Sequence, residues 1–210
     1  MELKKVSEEI EQLKKSAEEK GSVFCKWLLK KLGWSFGPTT ENIPKCVICV
    51  APHTSNLDFL LGQLYYAAIG RKARFLMKKE WFFFPFNLLL KKMGGVPIDR
   101  SKNKSITDRM AKEFDRYEYL HLAITPEGTR KKVDEWKKGF YYIALKARVP
   151  ILLAYIDYRK KEIGFKGTFY PTSNFEADIH TIRSCYQGMM GRNWKKNWMK
   201  QEFGNPNDNT

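Results

Sequence analysis

His53 and Asp58, with four residues between them in Ala51-Pro52-His53-Thr54-Ser55-Asn56-Leu57-Asp58, are the side chains best suited to move a proton. An imidazole accepts and releases protons near neutral pH, and a carboxylate beside it fixes its tautomer and stabilises the imidazolium. On one regular helix, residues at this spacing point about 140° apart. The spacing therefore predicts His53 just before a helix and Asp58 in its first turn. The chain can then fold back so that the carboxylate meets one ring nitrogen and leaves the other facing substrate. Taken alone, the pair has a plainer reading, with Asp58 as the acid of a capping box opened by Ser55 and His53 as an ordinary loop residue. The chain holds only three histidines, and neither His121, at the start of a strand-like run, nor His180, in a helical one, has a comparable setting.

Two further loops carry groups of similar interest, Val96-Pro97-Ile98-Asp99-Arg100-Ser101 and Thr125-Pro126-Glu127-Gly128-Thr129-Arg130. Each adjoins a strand-like run, and such loops gather at one edge of an α/β sheet. Arg100 and Arg130 are planar, permanently charged forks that match phosphate oxygens. Glu127 sets an acid beside Gly128, where a backbone without Cβ permits close approach to a ligand. Singly, each is equally a surface turn. Ser55 could be read as a nucleophile, but a capping role already accounts for it. Among Cys25, Cys46, Cys49 and Cys185, the pair in Cys46-Val47-Ile48-Cys49 has half the spacing of a zinc site. It lies in a strand-like run with no second pair, so free thiols and no metal site are expected.

These loops need strands that end at them. Val47-Ile48-Cys49-Val50 delivers His53, and the capping-box spacing of Ser55 and Asp58 predicts a helix from there to about Gly70. Strands are expected at residues 74–77, 96–98, 120–125, 151–157 and 163–169. Helices are expected after Ser105 (Ile106, Met110, Phe114, Tyr117), from Trp136 to Ala147, and through Ile179, Ile182 and Tyr186. The aromatic block around Pro85 is expected to be helical on both sides of it. Upstream, Leu3, Val6, Ile10, Leu13 and Ala17 mark one amphipathic helix, and Phe24, Trp27, Leu28 and Leu32 a second. Residues from Trp34 to Pro44 read as a loop. Alternating strands and helices predict a single α/β domain, its sheet largely parallel or mixed and flanked by helices. The expected division is an N-terminal amphipathic helical segment at 1–44, a main domain at 45–200 and a tail at 201–210.

Taken in order, the blocks resemble the lysophospholipid and glycerol-phosphate acyltransferase family. The family's His-four-residues-Asp block is His53 to Asp58, and its second block is similar to Gly95-Val96-Pro97-Ile98-Asp99-Arg100. The third, usually Phe-Pro-Glu-Gly-Thr-Arg-Ser, is present as Thr125-Pro126-Glu127-Gly128-Thr129-Arg130-Lys131, and the fourth resembles Val149-Pro150-Ile151-Leu152. Thr125, Lys131 and Pro52 depart from the usual residues. The resemblance implies a glycerol-phosphate acyltransferase-like fold and acyl transfer from acyl-CoA or acyl carrier protein to the hydroxyl of a lysophospholipid such as lysophosphatidic acid. In that reading His53 is the general base and Asp58 its support, and attack is direct, with no acyl-enzyme. Arg100 holds an acceptor phosphate, while Glu127, Gly128, Thr129 and Arg130 shape the acceptor pocket. Lyso-ornithine lipid or a lipid A precursor is an alternative acceptor on the same fold.

Composition narrows the partners. The 210 residues carry a formal net charge of +15, which calls for an anionic partner. Residues 1–20 hold five Lys against six Glu, whereas residues 71–104 hold ten Lys or Arg against Glu80 and Asp99. Within that basic stretch lies Trp81-Phe82-Phe83-Phe84-Pro85-Phe86. Trp81, Phe82, Phe83 and Phe86, with Lys78, Lys79, Lys91 and Lys92 at the rim, suit the interface of an anionic bilayer. Trp27 and Trp34 form a second candidate surface, and the run from Arg192 to Lys200 a third. A non-catalytic protein that binds anionic membranes or nucleic acid is the competing class, but no nucleic-acid recognition motif is present. No apolar run reaches the roughly 20 residues of a membrane span, and the charged N-terminus does not read as a signal peptide. The expectation is a peripheral, monotopic protein on the cytoplasmic side of the membrane, with no bound cofactor.

Overall fold

The computed structural model describes residues 21–98, 103–130 and 133–192. In chain order the elements are α1 (Val23–Lys31), β1 (Ser35–Phe36), β2 (Lys45–Ala51), α2 (Leu57–Ala68), β3 (Arg74–Lys78), α3 (Phe86–Lys92) and β4 (Gly95–Ile98). There follow α4 (Asn103–Arg116), β5 (Leu120–Ile124), α5 (Gly139–Ala147), β6 (Ile151–Asp157), β7 (Glu162–Phe169) and α6 (Phe175–Ser184). The seven strands form one sheet in the order β1-β7-β6-β2-β5-β3-β4. Strands β6, β2, β5, β3 and β4 run parallel, whereas β7 returns antiparallel to β6 and pairs with β1 in parallel. The fold is therefore α/β with a mostly parallel, mixed sheet between helices.

Both faces of the sheet are covered, so the central strands are apolar throughout rather than alternating. Val47 and Cys49 of β2 pack with Phe114 of α4, Phe140 and Ile143 of α5 and Ile182 of α6. Cys46 and Ile48 point the other way, onto Leu29 of α1 and Leu61 and Tyr65 of α2. The two cysteines of the Cys-x-x-Cys run thus lie on opposite faces and cannot share an ion. Among the described residues no cluster of His, Cys, Asp or Glu could hold a metal.

Several local expectations change. Ser35–Phe36 is a strand, not a loop, because the chain there docks on the edge of β7. On α1 the residues turned inward are Leu29 and Cys25, four apart and facing α2, so the stripe of Phe24, Trp27 and Leu32 lies on the exposed side. Before Pro85 there is only a short 3₁₀ turn at Lys79–Trp81; the α-helix starts after it, as expected where proline offers no N–H and crowds the preceding turn. Helix α4 begins at Asn103 rather than after Ser105, and its Asp108 pairs with Lys146 of α5. Trp136 precedes α5 and Tyr186 follows α6. The helix expected over residues 1–20 and the run 193–200 lie outside the described residues.

Candidate active site

Parallel strands bring their C-terminal ends to one edge, and that edge collects the loops after β2, β5 and β6. Strand β2 ends at Ala51, which puts His53 ahead of α2 and Asp58 in its first turn. The Ser55 hydroxyl accepts from the Leu57 amide at 3.1 Å, and the Asp58 carboxylate reaches back to the Ser55 amide at 2.8 Å. This is a reciprocal cap, tightened by one residue on the hydroxyl side.

Asp58 does more than cap. It is 3% exposed. Its Oδ2 accepts from the Thr54 and Ser55 amides at 2.7 and 2.8 Å, and its Oδ1 accepts from the Tyr158 hydroxyl at 2.5 Å. The Nδ1 of His53 stands 3.1 Å from Oδ2. The approach is too oblique to count as a formed hydrogen bond. It is a close imidazole–carboxylate contact, loose in the way that catalytic pairs often are before substrate enters. Burial pushes the Asp58 carboxyl up, yet His53, the Tyr158 hydroxyl and the two amides together hold it below the ordinary carboxylate range. No described residue bonds to Nε2.

The loop after β5 is tied to the same turn. Glu127 Oε2 accepts from the His53 amide at 3.1 Å, and Arg130 donates to the Asn56 side chain at 3.0 Å. Burial raises the Glu127 carboxyl above its usual value, the His53 amide works against this, and the Asp58 charge adds to it. Gly128, at φ +63°, takes the left-handed conformation that lets its N–H close the turn onto the Thr125 carbonyl at 3.1 Å. Thr129 sits in the same loop. The structure therefore gathers His53, Asp58, Glu127, Gly128, Thr129 and Arg130; Arg100 lies outside the described residues.

Beside the pair opens an apolar cavity of about 450 Å³. His53, Asn56, Asp58, Thr125, Gly128 and Lys137 border it at the loop edge. Phe59, Gly62, Phe75, Ala123 and Ile163 line it beneath α2. The volume falls in the usual range for a small-molecule site. A polar edge with a base and an apolar depth can take a long chain whose reactive end stops at His53.

An acyltransferase family model matches residues 38–156, from just before β2 almost to the end of β6. The chain belongs to the acyltransferase family. A 1-acyl-sn-glycerol-3-phosphate acyltransferase of Cocos nucifera is 37% identical over 113 residues, half of this chain and 35% of that protein. The chain thus spans about a third of that relative's length. The crystal structure of the 1-acyl-sn-glycerophosphate (LPA) acyltransferase PlsC of Thermotoga maritima superposes with a TM-score of 0.55 at 21% identity, covering 84% of this chain and 81% of that one. That likeness shows a shared acyltransferase fold.

In this member of the acyltransferase family two residues near the pair were not read from the sequence as part of the site: Tyr158, which was not singled out, and Arg192, read only as the start of a candidate surface. Arg192 donates from its backbone to the Thr54 hydroxyl at 2.8 Å and from its guanidinium to the Ser55 hydroxyl at 3.1 Å. Ser55 is thus occupied by a cap and a guanidinium, which removes the case for a nucleophile. His121 is structural: its Nε2 lies 2.6 Å from the Ile43 carbonyl, and burial pushes it down to about 4. Of the aromatic block, Trp81, Phe83 and Phe84 are exposed, Phe84 most of all at 78%. Phe82 is half-buried, its ring near Gly95. Lys79, Lys91 and Lys92 are exposed, while the side chains of Lys78 and Phe86 are outside the described set. Trp34 is buried against Tyr158, so it offers no surface.

Proposed function

We propose that this chain moves a fatty acyl group from acyl-CoA or acyl carrier protein to the free hydroxyl of a lysophospholipid-like acceptor, lysophosphatidic acid being the acceptor for which both relatives are named. The observation that carries the reading is a buried carboxylate paired with His53 at the edge of an apolar cavity. With Nδ1 turned to Asp58, Nε2 is the free base. It takes the proton of the acceptor hydroxyl as that oxygen attacks the thioester carbonyl. The tetrahedral intermediate then expels the thiolate, which recovers the proton from the imidazolium while Asp58 stays ionised. No side-chain nucleophile is needed.

Glu127, Gly128, Thr129 and Arg130 shape the acceptor end, and Arg100 meets its phosphate. The donor enters as a substrate and supplies the chain that fills the cavity. A non-catalytic binding protein would have no use for an imidazole held against a buried carboxylate beside that space.

The lipid character of acceptor and product calls for contact with a bilayer. Exposed Trp81, Phe83, Phe84 and Leu88 within the basic stretch, with Lys79, Lys91 and Lys92, suit an anionic surface on its cytoplasmic side. The outward stripe of Val23, Phe24, Trp27 and Leu32 extends the apolar exposure. No described helix is long and apolar enough to cross a membrane, and the association proposed is peripheral. Incubation with labelled acyl-CoA and a panel of lysolipids, including lyso-ornithine lipid and a lipid A precursor, with products read by mass, tests reaction and acceptor together. Formation of phosphatidic acid is the expected result; a folded protein that acylates nothing in the panel overturns the reading.

A further inference from the structure

Asp58 is gripped at both oxygens, and the two grips come from different parts of the chain. Oδ2 is held by amides of its own turn, whereas the one described donor to Oδ1 is the hydroxyl of Tyr158, a hundred residues away and one position past β6. An ionised carboxylate only accepts, so the phenol donates. Burial, with Asp58 beside it, pushes that phenol far above its ordinary range, which keeps it a donor at every working pH. The amides fix where Oδ2 sits, and the phenol on Oδ1 adds the second point that resists rotation about the Cβ–Cγ bond.

Tyr158 is itself braced. Its amide donates to the Met190 carbonyl at 2.8 Å, and its ring meets Trp34 edge-on at 5.1 Å. The segment from Met190 then passes directly over the His53–Asp58 turn. A Cβ on Gly191 would fall 2.4 Å from Thr54 Cγ2, and Arg192 bonds both Thr54 and Ser55. The segment thus joins the end of β6 to the turn that carries the base. Neither Tyr158 nor Arg192 lines the cavity.

We propose that Tyr158 is a positioning residue of the acyl-transfer site, fixing the rotation of Asp58 so that Oδ2 faces His53, and that residues 190–192 hold Tyr158 and the catalytic turn in register. The role rests on the acyltransferase reading of the same pair. Tyr158→Phe deletes one hydroxyl and keeps the ring on Trp34. It is expected to lower kcat about tenfold and to leave both KM values within about twofold. In the ¹⁵N spectrum of labelled histidine, His53 in the parent is a single tautomer protonated at Nδ1; the variant shows a mixture. Arg192→Met, at an exposed position, tests the brace without risk to the core. It is expected to cost about threefold in kcat, and the double variant to lose no more than Tyr158→Phe alone, because both act through one carboxylate. An unchanged kcat in Tyr158→Phe overturns the proposal, as does a loss of kcat with the His53 tautomer unmoved. If the parent transfers no acyl group, the acyltransferase reading fails, and the tautomer comparison still decides the positioning role.

Discussion

Glu127 accepts a hydrogen bond from the backbone N–H of His53, at 3.1 Å across 74 positions of sequence. That bond joins the loop after β5 to the turn after β2. It also sets a second carboxylate beside the imidazole, in an environment opposite to that of Asp58. Asp58 has donors enough to stay charged below its usual range; Glu127 has one described donor and is pushed up by burial. In the proposed mechanism, two carboxylates driven apart in this way divide the labour, one supporting charge and one shaping the acceptor.

The opposite shifts give opposite dependences of stability on pH. Asp58, lowered in the folded state, contributes stability above the ordinary carboxylate range and loses it as pH falls through its folded value. Glu127, raised, binds its proton more tightly when folded, so stability falls as pH rises from its ordinary to its raised value. Glu127→Gln removes that titration and can still accept from the His53 amide. Compared at one pH near the ordinary carboxylate range and one well above it, its stability relative to the parent should be greater at the second, while kcat/KM drops about tenfold, mainly through acceptor KM. Urea melts at the two pH values check the sign; a variant that loses ground as pH rises contradicts it.

Gly62 lies within α2 and borders the cavity, and a Cβ built there meets nothing within 4 Å. Gly62→Ala should therefore stabilise the helix by about 1 kcal/mol, raising Tm by about 2–4 °C. Gly62→Phe should fill the space beneath α2 and shift preference toward shorter acyl donors. A chain-length series of acyl-CoA substrates reads this directly, and an unaltered profile would show that the acyl chain lies elsewhere.

The membrane docking proposed for the basic aromatic block has a salt signature. Binding to vesicles containing anionic lipid should weaken as ionic strength rises, and Phe84→Ser with Leu88→Ser should reduce it at every salt concentration. Sedimentation with neutral and anionic vesicles separates the two contributions. Salt-insensitive binding to neutral vesicles would remove the electrostatic one.

Legibility followed distance along the chain. His53 and Asp58 could be paired from sequence because five positions and a capping-box spacing constrain both backbone and side chain. β6 was legible to the residue, since a run from Ile151 to Asp157 that is buried on both faces reads as a strand whatever surrounds it. Tyr158 and Arg192 were not, because their partners lie roughly a hundred positions or more away and no local pattern marks a hydroxyl or a guanidinium as belonging to a distant turn. The periodicity of Phe24, Trp27 and Leu32 was real, but periodicity identifies an apolar stripe without saying whether protein covers it. Trp34 erred the other way: a loop aromatic proved to be core, packed on Tyr158, which is distant in sequence but close in the sheet.

The central claim is that His53 is the base for direct attack by the acceptor on the thioester. It is tested by rapid-quench turnover of acyl-CoA, followed by release of free thiol and by intact protein mass, for the parent and His53→Ala with matched folding. Without acceptor, no thiol burst and no acylated protein should form. With acceptor, product should appear in the parent and fall by about 10²–10⁴-fold in the variant. Acylated parent protein before acceptor is added, or a His53→Ala rate within tenfold of the parent, would contradict the claim.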